Sequence, residues 1–377
     1  MAISDPKMQD LRDMLASPPV ESNDPKSIDF RKMLSNLKRE AREKSKVAQC
    51  LYCNGGYTSF CNSHSIPEFV LRSIASSGMV FTTNALMKIP SLEKESGIKN
   101  TGVFRLICNQ CDSDLFADYE DPFNYEKEPT GQMLAQIALK NTMKKLSKAQ
   151  LVLEMQKAIW QQHNISNHIT RYANESTLHE IAEVDVREYK KDFDIVKRAV
   201  KKRSDSEYRL FYFEKLDYVV PVAFQDSIRP YCDFESNVIN NIIKINTRVS
   251  ELHICIFPLK RSSVVFVFGE NDKRTKKYRK FIKQFMKLNP DDKLATICYL
   301  SFRYSEDIYI HKNIDQSVIE DESLSRIAGM EDTCKFLPST PRSKINAKML
   351  EGHALSQRKE IPNLLLPKYA IVQTIQD

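Results

Sequence analysis

The sequence predicts an α+β fold in which a compact cysteine-bearing module precedes a larger region of helices and then antiparallel strands. Three observations carry this. Two C-x-x-C pairs, Cys50/Cys53 and Cys108/Cys111, bracket one stretch of chain. Residues 131 to about 204 have helical character, with Leu134, Ile137, Ala138 and Met143 marking one apolar face. Short apolar runs then follow at 209–213, 218–223, 252–257 and 264–268, in the manner of strands.

Four thiolates in two tight knuckles suit Zn²⁺, which favours a closed tetrahedral sulfur shell. Nine cysteines placed at random rarely give two such pairs, so the spacing favours a metal over four buried thiols. The other five, Cys61, Cys232, Cys255, Cys298 and Cys334, are scattered and suit packing. Cys61 is near enough to the first pair to be an alternative ligand. Asn54-Gly55-Gly56 marks a turn after the first knuckle, and Pro67 opens a helix from Glu68 to Ala75. Residues 79–101 suggest an irregular strand or loop. Val103 to Ile107 is a strand running into the second knuckle. Asp112 to Tyr119 begins a helix that Asp121-Pro122 stops. Knuckle, hairpin, then a second knuckle opening a helix make a treble-clef-like ββα arrangement over residues 48–125.

The remaining boundaries follow from composition and pattern. Residues 1–47 form a linker, with Ser17-Pro18-Pro19, and a basic helix at 27–46 with Phe30, Met33, Leu34 and Leu37 on its apolar face. Residues 126–338 form the α+β domain, with long helical regions to about 203 and then two expected hairpins, 209–213 with 218–223 and 252–257 with 264–268. Helices are expected at 274–289 and 291–303. The tail at 339–377 has little periodicity. The 377 residues are 42% hydrophobic and 28% charged, which is ordinary for a globular protein. No apolar run reaches the roughly 18 residues of a membrane span. No export signal is visible at Met1 to Asp5, so a cytoplasmic setting with reduced thiols is expected.

Ser63-His64-Ser65-Ile66-Pro67 lies between the knuckles, with His64 where the hairpin bends towards a helix. Cys50-x-x-Cys53, Ser63-His64-x-Ile66-Pro67, Leu106-Ile107-Cys108-x-x-Cys111-Asp112 and Leu115-Phe116-x-x-Tyr119-Glu120 together resemble an HNH-endonuclease-like family of bacterial proteins. The resemblance covers roughly residues 48–125, with a weaker likeness in Ala135 to Lys140 and Leu252 to Leu259. It implies that the four cysteines hold a structural Zn²⁺ and that His64 is a general base on water. A Mg²⁺ or Mn²⁺ ion would assist at the scissile phosphate. Asp112 takes the helix-start position, where it would be the second site residue. Some members of the family look like genome-defence components, so a role in phage defence is implied. Two departures stand out. Ser63 occupies a place that usually holds a carboxylate or histidine, and the middle Asn is missing, with Asn100 its nearest substitute. The second ligand of the catalytic ion stays open among Asp112, Asp114 and Glu120. From the residues alone, His64 could instead brace the knuckle by donating to a carbonyl, and Asp112 could be a helix cap.

The net charge of +7 is modest for this length, so its distribution matters more. The densest basic run is Lys273 to Lys280, continuing to Lys283 and Lys287 on a helix with Tyr278, Phe281, Ile282, Phe285 and Leu288 opposite. Lys276, Lys277 and Lys280 are the candidate phosphate contacts, against a plain solvated face. Lys197 to Arg203 is a second basic candidate. Nucleic acid, most simply DNA, is the expected partner. The expected function is a metal-dependent HNH-like endonuclease. The alternative is a non-catalytic zinc module that recognises nucleic acid or a protein. The other six histidines, His163, His168, His179, His253, His311 and His353, show no ligand spacing.

Overall fold

The computed structural model describes residues 25–57, 60–86, 93–160, 175–240, 249, 251–272, 274–328 and 342–372. The Ser17-Pro18-Pro19 linker, His163, His168 and Cys334 lie outside them, as do the side chains of Phe30, Met33 and Leu34. The chain is α+β, as expected. It opens with helix α1 (Pro25–Lys44) and the first knuckle. A two-residue strand β1 (Ser63–His64), helix α2 (Glu68–Ile74), strands β2 (Met79–Thr82), β3 (Glu95–Gly97) and β4 (Val103–Phe104), and helix α3 (Asn109–Phe116) follow. Two long helices come next, α4 (Gly131–Trp160) and α5 (Glu175–Lys202). Strands β5 (Tyr208–Leu216), β6 (Val222–Ile228), β7 (Leu252–Pro258) and β8 (Ser263–Glu270) precede α6 (Arg279–Met286) and α7 (Pro290–Tyr304). Strand β9 (Ile308–His311) and helices α8 (Gln316–Ile319), α9 (Glu322–Ala328) and α10 (Arg342–Gly352) follow, and short helical turns at Leu355–Lys359 and Pro367–Tyr369 lie beyond them.

Seven strands form one antiparallel sheet in the order β3-β2-β9-β6-β7-β8-β5. The hairpin expected at 252–268 is present as β7 and β8, in register from His253 against Phe268. The other expected hairpin is not. β5 pairs with β8 at the sheet edge, whereas β6 pairs with β7 and β9 in the middle. The connection through Val219, Val220 and Pro221 therefore crosses two strands. Residues 79–101, expected to be irregular, supply β2 and β3, and β2 pairs with β9. The segments 48–125 and 126–338 thus share a sheet.

They also share a core. Along β7, Leu252, Ile254 and Ile256 enter one apolar cluster with Phe281, Phe285, Ile297 and Leu300. Cys255 and Phe257 enter the other, with Ile66, Val70, Phe116 and Leu134. Alternating residues point to opposite faces of a strand, so a sheet covered on both faces reads as a continuous apolar run. α4 lies within the second cluster and is buried on every side from Met133 to Lys144. Its polar residues in that stretch must therefore find partners inside the protein. α1 and α5 pack along α4. Leu37 and Ala41 face inward from α1, while Lys32, Lys38, Arg39, Arg42, Lys44 and Lys46 are exposed. No described helix is long and apolar enough to cross a membrane.

Candidate metal centre and the His64 face

The first knuckle is a turn in which the Cys50 amide donates to the Gly55 carbonyl at 2.9 Å and the Asn54 amide to the Cys50 carbonyl at 2.8 Å. Asn54 closes it in the left-handed region, at φ 61°, a conformation asparagine tolerates better than most side chains. The second knuckle is the N-terminus of α3, with Cys108 as its N-cap residue. The two are tied by the Leu51 amide donating to the Leu106 carbonyl at 3.0 Å. All four sulfurs, of Cys50, Cys53, Cys108 and Cys111, lie within 4.8 Å of one another. Zn–S bonds of about 2.3 Å in a tetrahedron need sulfurs about 3.8 Å apart, so the set fits Zn²⁺ with little adjustment. The Cys108 amide points at the Cys50 sulfur, at 3.4 Å. The Gly55 amide and the Tyr57 hydroxyl pull the Cys53 thiol down to about 6. Burial pushes Cys111 up, together with its hydrogen bonds to the other cysteines. A bound cation would hold all four as thiolates.

Cys61 is not part of this set. Its Sγ points at the Asp112 carboxylate, 3.3 Å away, and burial beside that carboxylate pushes the thiol up to about 12.

Asp112 is not a helix start either. α3 begins at Asn109, and the Asp112 side chain turns inward. Ser63 Oγ donates to its Oδ1 at 2.5 Å. Lys140 Nζ, from the buried stretch of α4, donates to the same oxygen at 3.0 Å and to Ser63 Oγ at 2.8 Å. Lys140 also pairs with Glu120 at 3.0 Å and lies 3.7 Å over the Phe116 ring. Burial alone would push the Asp112 carboxyl up, but Lys140, Ser63 and Cys61 hold it below its usual range. Four separately noted motif positions, Ser63, Asp112, Glu120 and Lys140, thus meet around the buried Lys140 ammonium. Tyr119 and Glu120 tie the chain just after α3 to α4. The Tyr119 amide donates to Gln136 Oε1 at 3.2 Å, and Gln136 Nε2 donates to Asp118 at 2.8 Å. Asp114 takes hydrogen bonds from Gln110, four residues earlier on the same helix, at 2.8 and 2.9 Å.

His64 follows Ser63 on β1, so the two point to opposite sides. Ser63 is buried, whereas His64 is half-buried and faces Ile98. The Ile98 carbonyl lies 3.1 Å from His64 Nε2. A carbonyl only accepts, so Nε2 carries the proton and a neutral ring presents a lone pair at Nδ1. The donation to a backbone carbonyl that the bracing reading expects is therefore present. Glu68, in the first turn of α2, is a carboxylate electrostatically coupled to His64. Hydrogen bonds from Arg72, at 2.8 and 3.1 Å, hold its carboxyl down, with burial opposing and the charges of His64 and Lys99 adding to the effect. Nothing in the sequence patterns singled out Glu68. The available signal was its place one helical step after Pro67, four residues from His64.

Gly102 holds this face together. Its φ is +64°, and a Cβ there would meet Ser65 Oγ at 2.3 Å and the Tyr309 hydroxyl at 2.8 Å. Its carbonyl accepts from the Ser65 amide at 2.9 Å. Asn100 lies in the short helical turn just before it.

Of the basic run, Lys273 lies outside the described residues, and Arg274–Tyr278 is a helical turn leading into α6, with Tyr278, Phe281 and Phe285 buried against the sheet. Lys276 and Lys277 are exposed, whereas Lys280 pairs with Glu235 at 2.6 Å. His253 is buried in β7, bonded to Asn141 at 3.1 Å and stacked on Phe268 at 4.5 Å. No family model, curated protein or solved structure matches this chain.

Proposed function

We propose that this chain is a zinc-stabilised, HNH-like endonuclease that hydrolyses nucleic-acid phosphodiesters, with His64 as the general base. The observation that carries this reading is the Ile98 carbonyl at His64 Nε2, which leaves Nδ1 as the acceptor on the half-buried ring. In the proposed step Nδ1 takes a proton from water as its oxygen attacks phosphorus, and the bond to the leaving ester oxygen breaks. Arg72 and Lys99, both electrostatically close to Glu68, supply positive charge for the phosphate. The four cysteines are structural. The order of knuckle, β1, β4 and second knuckle opening α3 supports a treble-clef assignment. Glu68 replaces Asp112 as the candidate ligand for Mg²⁺ or Mn²⁺, because both carboxylate oxygens of Asp112 take hydrogen bonds, from Lys140, Ser63 and Cys61, whereas Arg72 bonds only Oε1 of Glu68. An ion held there would polarise the phosphate. The proposed setting is a reducing cytoplasm, and the proposed partner is DNA.

The same commitment of Asp112 favours the second reading, a zinc module that binds nucleic acid or a protein without cleaving. The two separate in one assay. Full-length protein is incubated with plasmid, linear DNA and RNA, each with Mg²⁺ or Mn²⁺, beside His64→Ala and Glu68→Gln. Hydrolysis predicts cleavage of at least one substrate, abolished by His64→Ala and weakened by Glu68→Gln. Inert wild type that still retains nucleic acid would establish the second reading instead.

A further inference from the structure

Lys197 reaches from the last turns of α5 to the first knuckle. Its Nζ donates to the carbonyl of Leu51, between Cys50 and Cys53, at 3.0 Å. It also lies 5.1 Å from the centre of the Tyr52 ring, and Lys201, one turn on, lies 5.4 Å from the same ring. One helix therefore holds both intervening residues of the first C-x-x-C pair. Four thiolates outweigh the two positive charges of Zn²⁺ and leave the cluster doubly negative. Cations at its margin offset that charge in a setting less screened than water. Burial and the repulsion of Lys201 push Lys197 down from the usual lysine range, while Asp194, Cys50 and Cys53 favour its charged form.

We propose that Lys197 and Lys201 are outer-shell positioning residues of the zinc site, and that zinc loading docks the C-terminal end of α5 on the first knuckle. The proposal rests on zinc at the four cysteines and is independent of hydrolysis at His64. Outer-shell partners orient ligands, and their loss weakens metal affinity by roughly 10- to 100-fold. The ammonium of Lys197 fixes the Leu51 peptide, and so the turn that aims both sulfurs of the pair.

The test follows zinc transfer from the full-length loaded protein to an excess of a chromogenic chelator, after metal analysis of each sample. Lys197→Met should release zinc about 10-fold faster than wild type. Lys197→Arg, which keeps the charge, should recover part of that loss. Lys201→Met should accelerate release by a smaller factor above two. Lys276→Met, an exposed charge on another element, should match wild type. Hydrogen exchange of amides 193–202 should rise when zinc is removed. Unchanged release from both methionine variants, or equal acceleration by Lys276→Met, overturns the proposal. Should Lys197→Met fail to fold, Lys201→Met decides, since its side chain is exposed. A wild type without zinc refutes the metal site and the proposal with it, whatever the nuclease assay gives.

Discussion

Lys140 shows how one side chain organises the site. It is 1% exposed, yet it carries a charge matched by Asp112 and Glu120. Removing one partner of a buried ion pair costs about 3–5 kcal/mol, because the other charges remain without compensation. Lys140→Met should therefore lower the free energy of unfolding in urea by an amount in that range, seen as a lower midpoint, and Asp112→Asn should cost less. Gly102 is the second such position. Gly102→Ala combines a left-handed backbone with contacts to Ser65 and Tyr309 that no Cβ fits, and should destabilise by about 1–3 kcal/mol in the same assay. His64 makes a spectroscopic prediction. Nitrogen NMR of the neutral ring should show the proton on Nε2, because the Ile98 carbonyl accepts from it. A proton on Nδ1 would remove the lone pair that the general-base role needs.

At the scale of elements, α4 is the spine to which the module and the sheet both attach. Lys140 and Gln136 hold α3 and the chain after it. One turn on, Lys144 pairs with Asp226 at 3.2 Å and Asp307 at 3.0 Å, and Lys145 with Glu251 at 3.3 Å. Asn141 links the helix to His253 on β7. Burial pushes His253 down to about 4, against the opposing pull of Glu251. Its folded value lies below its ordinary 6.5, so the unfolded chain binds more protons between those limits. Stability from this group is present above pH 6.5 and is lost as the pH falls towards 4, by about 3 kcal/mol in all. Acid also releases thiolate-bound zinc, so the comparison is with His253→Phe, whose stability should fall less over the same window.

Across the whole molecule, what was legible in the sequence is what is encoded locally. The C-x-x-C spacing states its own purpose, and the continuous apolar runs of β7 and β8 matched a hairpin because a short turn joins them. The pairing of β5 with β8, and of β2 with β9, depends on partners far along the chain, and no local pattern carries it. The same holds at the site. Ser63, Asp112, Glu120 and Lys140 were visible as letters of separate motifs, but their meeting is a product of tertiary packing. Asp112 is thus part of the frame, bound to Lys140, Ser63 and Cys61. Because the knuckles share a core with the sheet, zinc should stabilise the whole chain. Chelation should lower the thermal midpoint, and added Zn²⁺ should restore it. The most direct test of His64 as the general base is the cleavage rate of wild type and His64→Ala at equal, measured zinc content. General-base catalysis by His64 predicts one zinc per chain in both, and a rate at least about 100-fold lower in the variant. Equal rates in the two, or a zinc-loaded wild type that cleaves no nucleic acid, would contradict it.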